Sequence, residues 1–102
     1  MTAYPSFVPP TDPDHDPVVR DLRSRITEAD RTILDAVNRR IELVRELRAH
    51  KLANGWDFVD QEREERLLAA LVGENPGPLS DDGLRELFGD LLALTKREVG
   101  NR

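Results

Sequence analysis

The sequence contains no cysteine, so disulfide bonds and thiolate metal sites are excluded. Its two histidines, His15 and His50, could not form a usual zinc site by themselves. Aromatic residues make up 5% of the chain and charged residues 34%, which is more typical of a helical protein than of a sheet-rich one. The formal net charge of -5 argues against the basic surface of nucleic-acid-binding proteins. A length of 102 residues then predicts one helical domain.

Long hydrophobic runs are also missing. No apolar stretch approaches the length that crosses a membrane. The first residues lack the basic and apolar regions of a signal peptide. We therefore expect a cytoplasmic protein.

Proline and aspartate are concentrated at the start of the chain. Their composition is typical of an extended, flexible arm. We expect residues 1–17 to form this arm and residues 18–102 to form the helical domain. The residues in question are Pro5, Pro9, Pro10, Pro13 and Pro17, with Asp12, Asp14 and Asp16.

The remaining sequence predicts an all-α fold of three helices, one long and two shorter. Asp16 is placed to cap the first helix, with Pro17 at its first position. No glycine or proline follows until Asn54-Gly55 supplies a stop after Ala53.

The two shorter helices are delimited by similar signals. Asp60 is placed to cap the second helix, which we expect to end near Val72, before Gly73 and the 76–78 Pro-Gly-Pro run. Ser80 and the acids after it open the third helix, which we expect to end around Val99.

The length of the first helix has a geometric consequence. Roughly 35 residues at about 1.5 Å each give a helix about 50 Å long, whereas a compact domain of this size is roughly 26 Å across. Two shorter helices of the same chain cannot cover its apolar stripe alone. We expect an antiparallel homodimer with twofold symmetry. A monomer whose long helix kinks near residue 40 is the alternative.

Two cations lie on the apolar stripe of the first helix. Arg40 falls within the stripe, and Lys51, eleven residues further on, lies within about 20° of the same face. A buried cation is costly without an anionic partner, and the acidic chain gives no general reason for basic residues here. We therefore predict a pocket for a small anion. The stripe consists of Leu22, Ile26, Ala29, Ile33, Val37, Val44 and Leu47.

Arg23 lies elsewhere on the same helix. It precedes Arg40 by seventeen residues, so it points about 100° away and lies about 25 Å along the axis. It cannot easily share a small-molecule site with Arg40 of its own chain. In an antiparallel dimer it could reach the partner's site, so the sequence indicates sites shared between protomers.

Each candidate residue also has an ordinary structural interpretation. Charged side chains on a helix usually face solvent, a lysine in the last turn complements the helix dipole, and an aspartate before a helix caps it. A threonine on an apolar face usually bonds to the preceding turn. One or another of these interpretations is available for every candidate site residue: Arg23, Arg40, Lys51, Asp60, Arg63, Glu64 and Thr95.

Taken in order, these residues resemble the all-helical chorismate mutases, the AroQ class. The resemblance spans residues 18–99, and it implies an intertwined dimer of three-helix chains with two composite sites. The matching features are Leu22-Arg23-x-x-Ile26, Asp30, Arg39-Arg40, Lys51, the run from Asp60 to Glu64, and Thr95 on the third helix.

The resemblance also implies a role for each residue. Arg40 would bind one substrate carboxylate, and the partner's Arg23 would bind the second. Lys51 would donate to the ether oxygen of the breaking C–O bond. Glu64 would accept from the ring hydroxyl. The supporting residues would be Asp60 beside Glu64, Arg63 at the carboxylate end and Thr95 as a hydroxyl contact.

The implied reaction is the intramolecular [3,3] rearrangement of chorismate to prephenate. It needs no nucleophile, metal or proton transfer, so no cofactor is expected. It needs a dianion held in a compact conformer, and positive charge where the ether oxygen gains electron density. Bidentate arginines and a buried lysine supply both.

The chain departs from the family pattern at Val99. Many members carry Gln or Glu there as a second donor to the ether oxygen, and valine cannot donate. The tail after Thr95 resembles the short actinobacterial (delta) subclass, in which a complex with DAHP synthase restores a weak activity. The resemblance therefore implies low intrinsic activity and a DAHP synthase partner.

Other functions stay open at this point. A 4-amino-4-deoxychorismate mutase would use the same residues on a substrate with a ring amine. An isochorismate-pyruvate lyase fits the Asp60 to Glu64 run less well. A weakly active or silent helical dimer that regulates DAHP synthase is the alternative from another class.

Overall fold

The computed structural model describes residues 12–100, which form three α-helices and one short 3₁₀ turn. The turn spans Pro13–His15, and the helices are α1 (Pro17–Ala53), α2 (Gln61–Glu74) and α3 (Asp81–Gly100). The predicted all-α class, with one long and two shorter helices, is confirmed. Residues 1–11 of the predicted arm lie outside the described range.

Helix α1 begins where its sequence predicts. The Asp16 carboxylate accepts hydrogen bonds from the backbone N–H of Val18 at 2.7 Å and of Val19 at 3.4 Å. Pro17 occupies the first helical position, where its missing N–H has no cost. The helix continues without interruption through residue 40 and ends at Ala53.

The end of α1 is a glycine-dependent cap. Gly55 has φ of +72°, a left-handed conformation that side chains disfavour. The Trp56 N–H donates to the Lys51 carbonyl at 2.8 Å, and the Gly55 N–H donates to the Leu52 carbonyl at 3.1 Å. This pair of bonds is a Schellman motif, and it turns the chain back at the position that Asn54-Gly55 predicts.

Helix α2 begins as predicted but ends later. The Asp60 carboxylate caps it by accepting from the Arg63 N–H at 3.0 Å. The predicted end near Val72 is wrong, because Gly73 stays inside a helix that reaches Glu74. A helical glycine costs only about 1 kcal/mol, whereas Pro76 bars the helical conformation from the residue before it. Asn75 is accordingly extended, with ψ of 116°.

Helix α3 supplies the buried residues of the described chain. The Ser80 hydroxyl caps it by accepting from the Gly83 N–H at 3.0 Å. Helices α2 and α3 pack against each other. The residues that are buried all lie on α3, at intervals that place them on one face: Leu84, Leu92, Thr95 and Val99.

The described chain divides into two compact units, one ending at Val37 and the other beginning at Asn38. In residues 12–37, no side chain is buried. Five large apolar side chains of this unit are between 47% and 65% exposed, and they are Val18, Leu22, Ile26, Ile33 and Leu34. None of the helices described in residues 12–100 combines the length and apolarity needed to cross a membrane.

Candidate active site

A cleft that is partly open to solvent lies within residues 38–100, and the space between its walls, including solvent-filled space at its mouth, is about 510 Å³. Its walls come from the C-terminal half of α1, the loop after it, the first turn of α2 and the C-terminal half of α3. The cleft brings together most of the predicted site residues: Arg40, Lys51, Asp60, Arg63, Glu64 and Thr95.

Arg40 is held in place by α3. Its Nη1 donates to the Thr95 hydroxyl at 2.6 Å, and that hydroxyl donates to the Leu91 carbonyl at 2.7 Å. Thr95 is 2% exposed, so the acceptor is fixed by packing. Thr95 therefore makes the ordinary bond to its preceding turn and also orients a cleft arginine. A guanidinium has five N–H donors, so others remain for a ligand.

The surroundings of Arg40 favour an anion. Burial lowers the pKa of Arg40 and the nearby Arg63 charge lowers it further, while Glu64 acts in the opposite direction. The guanidinium stays protonated, because arginine is effectively always protonated in proteins even when its pKa is lowered. A lowered pKa means that the positive charge is stabilised less well here than in water, and a bound anion would relieve this deficit.

Lys51 lies on the same wall. Its Nζ donates to the Phe58 carbonyl at 3.2 Å. This bond links the last turn of α1 to the loop that follows the turn at Gly55. Lys51 is half-buried. An ammonium has three donors, so two remain for the cleft.

The first turn of α2 contributes charge of both signs. Asp60 is exposed, and its carboxylate caps the helix, as the ordinary interpretation predicts. This cap fixes the first turn, from which Arg63 and Glu64 reach the cleft. Arg63 is exposed, whereas Glu64 is half-buried.

Lys96 is a cleft residue that the sequence analysis missed. Its Nζ lies 2.8 Å from Oε1 and 2.9 Å from Oε2 of Glu64, so one ammonium contacts both carboxylate oxygens. Lys96 follows Thr95 directly, but its partner lies 32 positions earlier on another helix. Only the packing of α2 against α3 brings the two together, so periodicity along one helix could not identify the pair.

Two other predicted positions lie away from the cleft lining. Arg23 belongs to the unit of residues 12–37, where its guanidinium pairs with Asp14. Its predicted role in a partner's site stays a prediction. Val99 is 2% exposed and is not among the lining residues.

The chemical character of the cleft is cationic with an apolar side. Arg40, Lys51, Arg63 and Lys96 line it against the two carboxylates of Asp60 and Glu64. The surplus of two positive charges suits a dianion. The apolar lining offers a surface for a carbon ring, and it consists of Val44, Leu47, Phe58, Val59 and Leu92. Within residues 12–100 no cluster of three His, Asp or Glu side chains could hold a metal ion.

Comparison with known proteins identifies a family for this chain. The sequence profile of the family described as chorismate mutase type II matches residues 22–99. The chain is also similar to the solved chorismate mutase of Thermus thermophilus in two forms. Form I shares 34% identity with a TM-score of 0.74, covering 76% of this chain and 96% of that one. Form II shares 34% identity with a TM-score of 0.73, covering 76% and 88%.

A comparison with curated proteins gives no significant match. The family match nevertheless spans most of the chain and includes every cleft residue. The chain therefore belongs to the chorismate mutase type II family and is an isomerase.

Proposed function

We propose that this protein converts chorismate to prephenate in the cleft of residues 38–100. The observation that carries the proposal is the surplus of two positive charges in one partly apolar cleft, in a chain of this family. Chorismate is a dianion with a carbon ring, so both of its parts find a complementary surface there. The rearrangement breaks a C–O bond and forms a C–C bond within one molecule, so positioning and charge suffice.

Arg40 binds one carboxylate of the substrate in this proposal. Its bond to Thr95 sets the direction of the guanidinium before the ligand arrives, which reduces the ordering that binding requires. Arg63 supports the carboxylate end from α2. Held at its charged groups, the substrate adopts the compact conformer in which the reacting carbons approach.

Lys51 provides the catalytic charge. In this proposal its free N–H donors bind the ether oxygen, which gains electron density as the C–O bond breaks. A donor placed in advance stabilises the transition state more than the ground state, and this difference accelerates the reaction. Glu64 accepts from the ring hydroxyl, Asp60 supports the turn that carries it, and Thr95 acts through Arg40.

The protein acts as a homodimer in which the partner's Arg23 completes each site. The exposed apolar face of residues 18–34 supports this part of the proposal, because a single chain leaves it in water. Burial by a second copy would remove this surface from solvent and would bring in a second arginine for the second carboxylate.

A DAHP synthase partner is proposed because the tail after Thr95 resembles the short actinobacterial (delta) subclass, and Val99 in place of Gln or Glu is in keeping with a weak isolated enzyme. Without a second donor to the ether oxygen, the isolated enzyme is expected to be slow, and a partner that reorders the cleft would raise its rate. Titration of the purified chain with DAHP synthase from the same organism tests this. Unchanged turnover would contradict activation by DAHP synthase. A cytoplasmic location stays a prediction that cell fractionation can check.

The proposed activity is tested by following the loss of chorismate absorbance and quantifying prephenate. Lys51→Ala should lower kcat by roughly 100- to 1000-fold, as removal of one transition-state donor does in other enzymes. Arg45→Ala is the matched control, because it removes an exposed cation from the same helix outside the cleft. No prephenate at high enzyme concentration, with or without DAHP synthase, would contradict the function. An unchanged kcat in the Lys51→Ala variant would show that the reaction does not take place in this cleft.

A further inference from the structure

We propose that Lys96 determines substrate specificity by making the cleft select a neutral ring hydroxyl over a ring ammonium. On this account the enzyme prefers chorismate to 4-amino-4-deoxychorismate. The inference rests on the proposed function and adds a residue and a selection rule to it.

The geometry of the Glu64–Lys96 pair is the starting point. One ammonium lies 2.8 Å and 2.9 Å from the two oxygens of one carboxylate. The side chains are 22% exposed for Glu64 and 37% for Lys96, so water screens the pair less than it would on an open surface. Both residues line the cleft, and both also line a second hollow between α2 and α3. The pair therefore forms part of the wall that separates the two spaces.

The pairing limits what Glu64 can accept. A carboxylate offers about four lone-pair sites; Lys96 donates a hydrogen bond to Oε2, and its charge also lies 2.8 Å from Oε1. The sites that remain are enough for the single O–H of a ring hydroxyl. A ring ammonium brings a full positive charge and three donors, and it would have to share the same carboxylate with the Lys96 ammonium. Like charges that share one partner disfavour each other.

The charge of the whole cleft acts in the same direction. Its four cations and two anions leave two positive charges, which a dianion with a neutral hydroxyl matches. A substrate that also carries an ammonium would leave one positive charge uncompensated, because an aliphatic amine is protonated near neutral pH. Arg23 of the partner subunit would increase this excess. Removal of Lys96 would free Glu64 to pair with the incoming ammonium.

The test compares both substrates with the purified protein and its Lys96 variants. For each protein, kcat/KM is measured on chorismate and on 4-amino-4-deoxychorismate, with products separated by liquid chromatography. Lys96→Gln removes the charge, and Lys96→Met removes it while keeping the apolar stem in case the glutamine variant does not fold. Lys96→Arg keeps the charge. Arg97→Gln is the matched control, because it removes the neighbouring exposed cation, which does not line the cleft.

We expect the wild type to prefer chorismate, and Lys96→Gln or Lys96→Met to shift the ratio of the two kcat/KM values toward the amine by roughly ten- to a hundredfold. Lys96→Arg and Arg97→Gln should keep the wild-type ratio. A merely structural lysine would lower both activities together and leave the ratio unchanged, which would overturn the inference. A wild type that prefers the amine would also overturn it. If the wild type converts neither compound, the proposed function itself fails.

Discussion

The two units of the chain differ in how many of their side chains are buried or hydrogen-bonded within the unit. Residues 38–100 hold the buried face of α3 and a cleft whose polar groups are paired: Arg40 with Thr95, Lys51 with a backbone carbonyl, and Glu64 with Lys96. Residues 12–37 bury nothing and expose a row of large apolar side chains. Residues 38–100 also expose large apolar side chains, among them Leu43, Leu52 and Trp56, so the two units differ in what they bury rather than in whether they expose apolar surface. Residues 12–37 have no buried face of their own, which is why the homodimer proposed above assigns their apolar side chains to a contact with a second copy.

The largest expected effect tests the exposed face of residues 12–37. The double variant Ile26→Asp, Ile33→Asp places two charges in the centre of that face. If a second copy covers it, an unpaired buried charge is strongly unfavourable, so the dimer should dissociate and activity should be lost although neither residue lines the cleft. Sedimentation velocity measures the mass. Ser24→Asp adds one such charge about half a turn away on α1 and should leave both properties unchanged. A double variant that stays dimeric and active would contradict the assignment of this face.

An intermediate effect tests the pairing inside the cleft. Thr95→Val keeps the shape of the side chain but removes the acceptor that orients Arg40. Hydrogen bonds to charged groups contribute about 1.5–3 kcal/mol, so KM should rise roughly tenfold or more, with a smaller change in kcat. Thr32→Val is the control, because it removes a similar bond from a hydroxyl to its preceding turn, the Glu28 carbonyl, without touching a residue assigned to the site. Equal effects of the two substitutions would show that Arg40 does not depend on Thr95.

The smallest effect separates the two roles of Asp60. Asp60→Ala removes the cap of α2 and should cost about 1 kcal/mol, which lowers the melting temperature by roughly 4–8 °C for a domain of this size. Asp60→Asn keeps the cap but removes the charge, so it should melt close to the wild type. A loss of activity shared by both variants would assign the charge a part in the site. A loss confined to the alanine variant would leave Asp60 as a cap alone.

The helix boundaries could be predicted because they depend on local chemistry. Asp16, Gly55, Asp60 and Ser80 each act through bonds to residues a few positions away. The end of α2 was predicted wrongly because two local signals compete, and the proline outweighs the glycine. Arg40 and Lys51 could be predicted from periodicity alone, since both lie on one face of one helix.

The rest of the site required more than periodicity. Asp60, Arg63, Glu64 and Thr95 gained their predicted roles from the resemblance to chorismate mutases, because single charged residues on short helices are usually solvated. Lys96 was predicted neither from periodicity nor from that resemblance. Its partner is determined by how α2 packs on α3, and no spacing within either helix encodes that contact.

The central claim is that each site joins the cleft of one chain to an arginine of another. Arg23→Ala and Lys51→Ala should each be nearly inactive alone. When the two variants are co-expressed with different tags and allowed to mix, a heterodimer contains one site that has both intact residues. A statistical mixture should therefore recover about a quarter of the wild-type activity, because half of the dimers are mixed and half of their sites are intact. No recovery from heterodimers purified by both tags would contradict the shared site.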